Sequence, residues 1–333
     1  MHYVIIGCGA SGLKAAKTIR ENDPQGEINI ISSDIWPLYV KPVLADFIGG
    51  QIDTSRMAYM SMSSIDELKI NIITGKRVSA IVPAENRLIF SDSSDLKYQF
   101  LLIATGSYPE IPASHQKFRD KMRVLNTLSD AVRIKNESFR SNRAVVIGGG
   151  HHALEMLRCL HVQKNIDLTF LTDQDTFWER DHPISSDTVV DLLQKEKINI
   201  QWNKGVVDII DLDGESYRVI TETGNVFDVQ MILYAPRFVP NMDLVKGSTI
   251  KTDKGILVSE DLRTNIPNIY ACGDVAQVFD INKGLNRINF GWASASKQGA
   301  LAGQNMTGKD HVFIPAHEEY FKQLYGDRLL KRW

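Results

Sequence analysis

Cysteine is scarce in this chain. Three occur in 333 residues, at Cys8, Cys159 and Cys272, and no Cys-x-x-Cys is present. So sparse a set excludes a disulfide framework, a structural zinc site and an iron–sulfur cluster on a local motif. The usage fits a reducing cytoplasm, and no metal site is expected. Long apolar runs are also lacking: no stretch approaches the roughly 18 uninterrupted residues of a membrane span. Excess charge is missing too, with 38 basic against 40 acidic residues and a formal charge of −2. That balance argues against nucleic-acid binding through a general basic surface and against polybasic membrane attachment. What remains is a chain with 43% hydrophobic residues, long enough for two domains with real cores.

The first positive feature is an internal echo. Tyr3-Val-Ile-Ile-Gly7-Cys-Gly9-Ala10-Ser11-Gly12 opens the chain, and Ala144-Val-Val-Ile-Gly148-Gly-Gly150-His151-His152-Ala153 repeats the pattern. Each is a β-branched run ending in glycines and followed by apolar residues at helical spacing. The opening hydrophobic run therefore reads as a buried strand turning into a helix, not as a signal peptide. Strand, glycine turn and helix begin a dinucleotide-binding βαβ unit. The first glycine makes the tight turn. The second admits a pyrophosphate to the backbone, the third lets helix and strand pack closely, and the helix N-terminus faces the phosphates. An acidic residue about 20 positions on should meet the ribose. Asp34 stands there in the first unit, with loop capping as its alternative. In the second, Thr172 ends the strand and Asp173 follows.

Between and after these units, Lys76–Val82 and Asn86–Phe90 read as a small antiparallel element. Buried strands are expected at Tyr98–Ala104, ending in Thr105 and Gly106, at Met231–Ala235 and at Ile269–Cys272, ending in Gly273 and Asp274. One helix, Leu128–Lys135, is expected in the polar stretch after Pro112.

These motifs in this order resemble the FAD-dependent pyridine nucleotide-disulfide oxidoreductases, most nearly rubredoxin and ferredoxin reductases and the flavin portion of the nitrite reductase large subunit. The resemblance covers roughly residues 1–310. It also includes Pro37-Leu-Tyr-Val-Lys41-Pro42 and Phe290-Gly-Trp292-Ala293 followed by Gln298-Gly299. It implies an α/β fold of two Rossmann-like three-layer domains, each with a small antiparallel element. The FAD domain would comprise 1–112 and 248–310, and the inserted NAD(P)H-type domain 113–247. Residues 311–333 would form a short amphipathic tail where relatives carry an interface domain, so the family's usual dimer is not expected.

The resemblance further implies that Gly7, Gly9, Ala10, Ser11 and Gly12 take the FAD pyrophosphate, and Asp34 the adenosine ribose. The backbone of Val78 would meet the adenine, and Ala104, Thr105 and Gly106 would pass close to the cofactor. Gly273 and Asp274 would receive the ribityl chain. The helix near Ala293 would aim its N-terminus at the flavin, and Trp292 would shield that edge or pack in the core. Lys41 and Pro42 would lie beside the isoalloxazine ring, with Lys41 holding the flavin, pairing with Glu155 near the nicotinamide, or simply exposed. Gly148, Gly150, His151, His152, Asp173 and Arg237 would frame the second nucleotide, where the adjacent histidines and the bulky Arg237 depart from the family pattern.

With no Arg or Lys directly beside Thr172 and Asp173, NADH is expected over NADPH. No cysteine stands near Lys41-Pro42, which argues against reduction through an enzyme thiol. The leading reading is electron transfer between NADH and a protein redox carrier or partner subunit, with the tail as a docking element. A second keeps FAD as the flavin subunit of a larger redox complex and treats the nicotinamide site as degenerate. A third, of another class, is a non-catalytic nucleotide- or redox-sensing module.

Overall fold

The computed structural model describes residues 1–36, 38–177, 184–315 and 333. Helices are α1 (Ala10–Asn22), α2 (Leu44–Ile48), α3 (Met62–Glu67), α4 (Leu128–Ser138), α5 (Gly150–His161), α6 (Ser186–Lys195) and α7 (Trp292–Met306). The chain divides into two compact units, one of residues 1–40, 58–108 and 239–315, the other including 41–57 and 109–238.

The first unit is built on a five-stranded parallel sheet. Its order is Ile269–Ala271, Phe100–Ile103, His2–Ile6, Glu27–Ile31 and Ile70–Ile73. Such strands are covered on both faces and so read as unbroken apolar runs. Val4, Ile5, Ile30, Leu101, Leu102 and Ile269 are all fully buried, and each contributes roughly 1.5–3 kcal/mol of burial. An antiparallel meander, Val78–Val82, Arg87–Phe90 and Asp95–Lys97, supplies Val78, Ile81, Leu88 and Phe90 to the same core. A second small sheet joins Ile256–Val258, Ala276–Asp280 and Leu285–Ile288.

The second unit repeats the plan with four parallel strands, in the order Asn199–Gln201, Asp167–Leu171, Arg143–Gly148 and Met231–Ala235. Its antiparallel element is Val206–Asp211, Tyr217–Thr221 and Val226–Val229. The expected helix after Pro112 is present as α4, started by a capping box in which Thr127 and Asp130 satisfy each other's backbone N–H. A 3₁₀ stretch over Ala113–Lys121 precedes it, which the polar sequence did not signal.

The α/β class and the paired Rossmann architecture are those the resemblance implies, but the chain divides at other points. Residues 41–57 pack with the second unit, because α2 is held against α5 through side chains described below. The return point lies earlier than residue 248, because Thr105 Oγ1 donates to Asn241 O at 2.8 Å and Asn241 N to Gly106 O at 2.9 Å. Leu244 and Val245 then join the first core. Most of the expected tail lies outside the described residues; Trp333 has its ring centroid 5.5 Å from that of His161.

Candidate functional site

In the first unit the strand ends at Gly7, whose φ of +114° no side-chain-bearing residue adopts readily. A Cβ there would lie 2.1 Å from Ala104 O, so glycine is also what lets the ends of the strands His2–Ile6 and Phe100–Ile103 converge. Gly9 then N-caps α1 with no side-chain hydrogen bond, no acid stands in the first turn, and a Cβ at Gly9 would meet nothing within 4 Å. The same holds for the caps of α5 (Gly149) and α7 (Gly291): neither has a side-chain cap or an acid in its first turn. By contrast α3, α4 and α6 are capped by Ser61, Thr127 and Ser185. The glycine-capped start of α1 fits a dinucleotide pyrophosphate; at α5, Gly150 N donates to Phe177 O at 3.3 Å.

Around these ends the first unit carries a connected polar network. Asp274 Oδ1 accepts from Gly291 N at 3.0 Å and Oδ2 from Ser107 Oγ at 2.9 Å, tying the GD turn to the start of α7. Gly273 N donates to Gln298 Oε1 at 2.8 Å, and Gln298 Nε2 to Ser294 Oγ at 3.1 Å. Gln298, Ser294 and Ser11 are buried. Helices α1 and α7 touch backbone to backbone, since a Cβ on Gly299 would fall 2.1 Å from Ser11 O.

Asp34 is half-buried and already engaged: Oδ1 accepts from Trp36 N at 3.0 Å and Oδ2 from Tyr39 Oη at 2.8 Å. Each carboxylate oxygen has a second lone pair, so capping and ribose binding are compatible. Val78 and Ala104 are buried. Trp292 is half-buried, edge-on to Tyr59 at 5.6 Å.

In the second unit Gly148 repeats the geometry of Gly7, with φ +131° and a Cβ position 2.3 Å from Ala235 O. His152 stacks on Phe238 at 4.3 Å. More than a third of its surface remains accessible, yet the protein crowded around it lowers its pKa to about 4. The ring is therefore neutral at physiological pH. Thr172 is buried and caps its own loop through Gln174 N, while Asp173 is exposed. The negative charge of Asp173 reaches His115 and Tyr234, which stack at 5.4 Å, and helps raise the pKa of Tyr234 after burial. Arg237 is exposed and its Nη2 donates to Glu110 Oε2 at 3.2 Å.

The offered Lys41–Glu155 pairing is not the one found. Lys41 is exposed and its Nζ donates to Asn126 Oδ1 at 3.2 Å. Glu155 Oε2 accepts from Arg158 Nη2 at 3.0 Å. The physical reason is proximity: Arg158 lies one helical turn along α5 on the same face.

Comparison with known proteins gives the family. The profile of the pyridine nucleotide-disulphide oxidoreductases matches residues 1–299. The chain belongs to that family. It is similar to an NADH oxidase of Methanocaldococcus jannaschii, 29% identical over 328 residues, covering 95% of this chain and 72% of the relative. It is similar also to an NADH-rubredoxin oxidoreductase of Clostridium acetobutylicum, 28% identical over 311 residues, covering 92% and 75%. Among solved structures, putidaredoxin reductase in its covalent complex with putidaredoxin superposes with a TM-score of 0.85, at 24% identity over 95% of this chain and 76% of that one. That likeness shows the fold. This member of the pyridine nucleotide-disulphide oxidoreductases is an FAD-dependent oxidoreductase.

Its cysteines are not poised for thiol chemistry. Burial pushes the Cys8 thiol up to about 12 and the Cys272 thiol up to about 12, and it raises Cys159, whose Sγ donates to Met156 O, further still. Sequence reasoning missed Tyr39, Ser107 and above all Arg158. Only Arg158 left a signal, as a charge inside the apolar run Met156-Leu-Arg-Cys-Leu160.

Proposed function

We propose that this chain moves electrons from NADH to a protein redox carrier or partner subunit of the rubredoxin or ferredoxin type, in the reducing cytoplasm. The observation that carries this is the pair of parallel sheets, each followed by a glycine-capped helix with no acid in its first turn. FAD, when bound, supplies entry of electrons in pairs and exit singly. The chain's own residues do the rest. Gly7, Gly9 and Gly12 admit the pyrophosphate of FAD, and Asp34 and Val78 meet its adenosine. Asp274 holds the start of α7 and receives the ribityl chain. The N-terminus of α7, at Trp292 and Ala293, would face the flavin and favour negative charge on it. Gly148 and Gly150 admit the second pyrophosphate, with His151, His152 and Arg237 at its rim. Glu155 would lie beside the nicotinamide.

The preference for NADH over NADPH follows from charge. Asp173 makes the end of the second strand negative, as Tyr234 registers, and a 2′-phosphate there would be repelled. A carrier is the expected acceptor because one relative bears the name NADH-rubredoxin oxidoreductase, and because all three thiols are held protonated. Docking of the carrier on the tail belongs to this proposal.

The test is an anaerobic titration of the purified yellow protein, first with NADH and then with NADPH, recording the flavin spectrum. Bleaching by NADH at lower concentration than by NADPH is expected. A flavin bleached only by dithionite would leave the alternative of a flavin subunit in a larger complex. Relatives named NADH oxidase support a second acceptor, oxygen. Fast aerobic NADH consumption without any carrier would select it.

A further inference from the structure

Arg158 has no side-chain surface exposed to solvent. It lies in α5 and binds three groups. Its Nη2 donates to Asp46 Oδ1 at 2.6 Å and to Glu155 Oε2 at 3.0 Å, and its Nη1 donates to Gln51 Oε1 at 2.8 Å. Asp46 is in α2 and Gln51 just beyond it, so one guanidinium joins the segment that begins at Lys41-Pro42 to the carboxylate of Glu155. The same segment is pressed on α5 at Gly49, where a Cβ would lie 2.6 Å from Val162 Cγ2, and by Gln163 Nε2 donating to Ile48 O at 3.1 Å. Glu155 spends only Oε2 on this cluster; among the described residues Oε1 accepts no hydrogen bond.

Burying an arginine costs its hydration, and an apolar side chain would serve a merely structural contact as well or better. A planar guanidinium already held by Asp46 and Gln51, in contrast, fixes where Glu155 Oε2 sits, which a flexible lysine would leave free. We propose that Arg158 is a positioning residue: it clamps Glu155 through Oε2 so that Oε1 is held ready for the nicotinamide, and it locks the Lys41–Gln51 segment to the same helix. This rests on the function proposed above, with Glu155 beside the nicotinamide.

The test measures by calorimetry the dissociation constant of NAD⁺ for the FAD-loaded protein, and that of NADH for the same protein after its flavin is reduced by dithionite, for Arg158→Met, Arg158→Lys, Glu155→Gln and the Arg158→Met/Glu155→Gln double variant. Arg158→Met is expected to bind about tenfold more weakly, Arg158→Lys about threefold more weakly, and the double variant no more weakly than Glu155→Gln alone. Should the methionine variant not fold, Arg158→Lys in the wild-type and Glu155→Gln backgrounds carries the same comparison. Wild-type affinity in the arginine variants overturns the inference, and so do losses that multiply in the double variant, since the effect would then not pass through Glu155. Wild-type protein that holds FAD but binds neither nucleotide overturns the function proposed above, and this inference with it; the wild-type titration alone tells the two failures apart.

Discussion

The two glycine turns of this chain start alike and are finished differently. In the first unit the turn at Gly7 is enclosed by a network of Ser11, Gly273, Asp274, Gln298 and Gly291, and α1 lies on α7 with glycine at the contact. In the second, the turn at Gly148 has the same backbone strain, Gly150 N donates to Phe177 O at 3.3 Å, and Asp173, Arg237 and a His152 stacked on Phe238 are exposed. A network with most of its hydrogen bonds already made holds its shape before a ligand arrives and suits a cofactor that stays.

The comparison can be broken most decisively at the two turns. Gly7→Ala and Gly148→Ala each place a methyl within about 2 Å of a carbonyl oxygen, at positive φ, and each should cost about 3 kcal/mol or more. Gly7→Ala should be purified colourless, whereas Gly148→Ala should keep its FAD and lose NADH binding. Flavin absorbance per chain after gel filtration reads this, and a colourless Gly148→Ala would erase the distinction. Next in size, Asp274→Ala removes one hydrogen bond to Gly291 at the start of α7 and one to Ser107, and should release FAD while lowering stability by about 1–3 kcal/mol. If that variant stays fully yellow, the network is not what holds the cofactor. Smaller still, Thr127→Ala breaks the capping box of α4 in the second unit and should cost about 1 kcal/mol in urea unfolding, with flavin content unchanged.

The smallest expected effect concerns both units. With Cys8 and Cys272 raised to about 12, the thiolate fraction near pH 8 is about one in ten thousand. Iodoacetamide should therefore leave all three cysteines of the native protein unlabelled at neutral pH, with labelling rising only as pH climbs towards those values. Labelling of Cys8 or Cys272 at neutral pH, read by mass spectrometry, would reopen thiol chemistry for that unit.

Much of this architecture was legible because parallel strands buried on both faces leave continuous apolar runs. The strands at Tyr3, Ala144, Met231 and Ile269, and the glycines that end the first two, needed no tertiary information. The helix at Leu128 was expected in the polar stretch after Pro112, and the structure adds its Thr127–Asp130 capping box. What was hidden depends on contacts between distant segments. Nothing local to Lys41–Met57 says that it packs with α5, because the bond that decides it joins Asp46 to Arg158. The partner of Glu155 was misread for a related reason: a family pattern supplied a lysine, whereas the neighbour one turn along the helix was nearer. The small sheet of Ile256–Val258, Ala276–Asp280 and Leu285–Ile288 also escaped, since strands of three to five residues carry too few alternations to show a period.

The sheet order of the first unit has a consequence for how the protein is made. Its edge strand, Ile269–Ala271, pairs with Phe100–Ile103, so one side of the sheet waits for a partner until most of the chain has left the ribosome. The stretch 109–238 is continuous and can fold as soon as it emerges. Until then the apolar flank of Leu101–Ile103 lies open to pairing with other chains. Slow translation before codon 269, or a shortage of chaperones, should therefore deplete the first unit and leave the second intact.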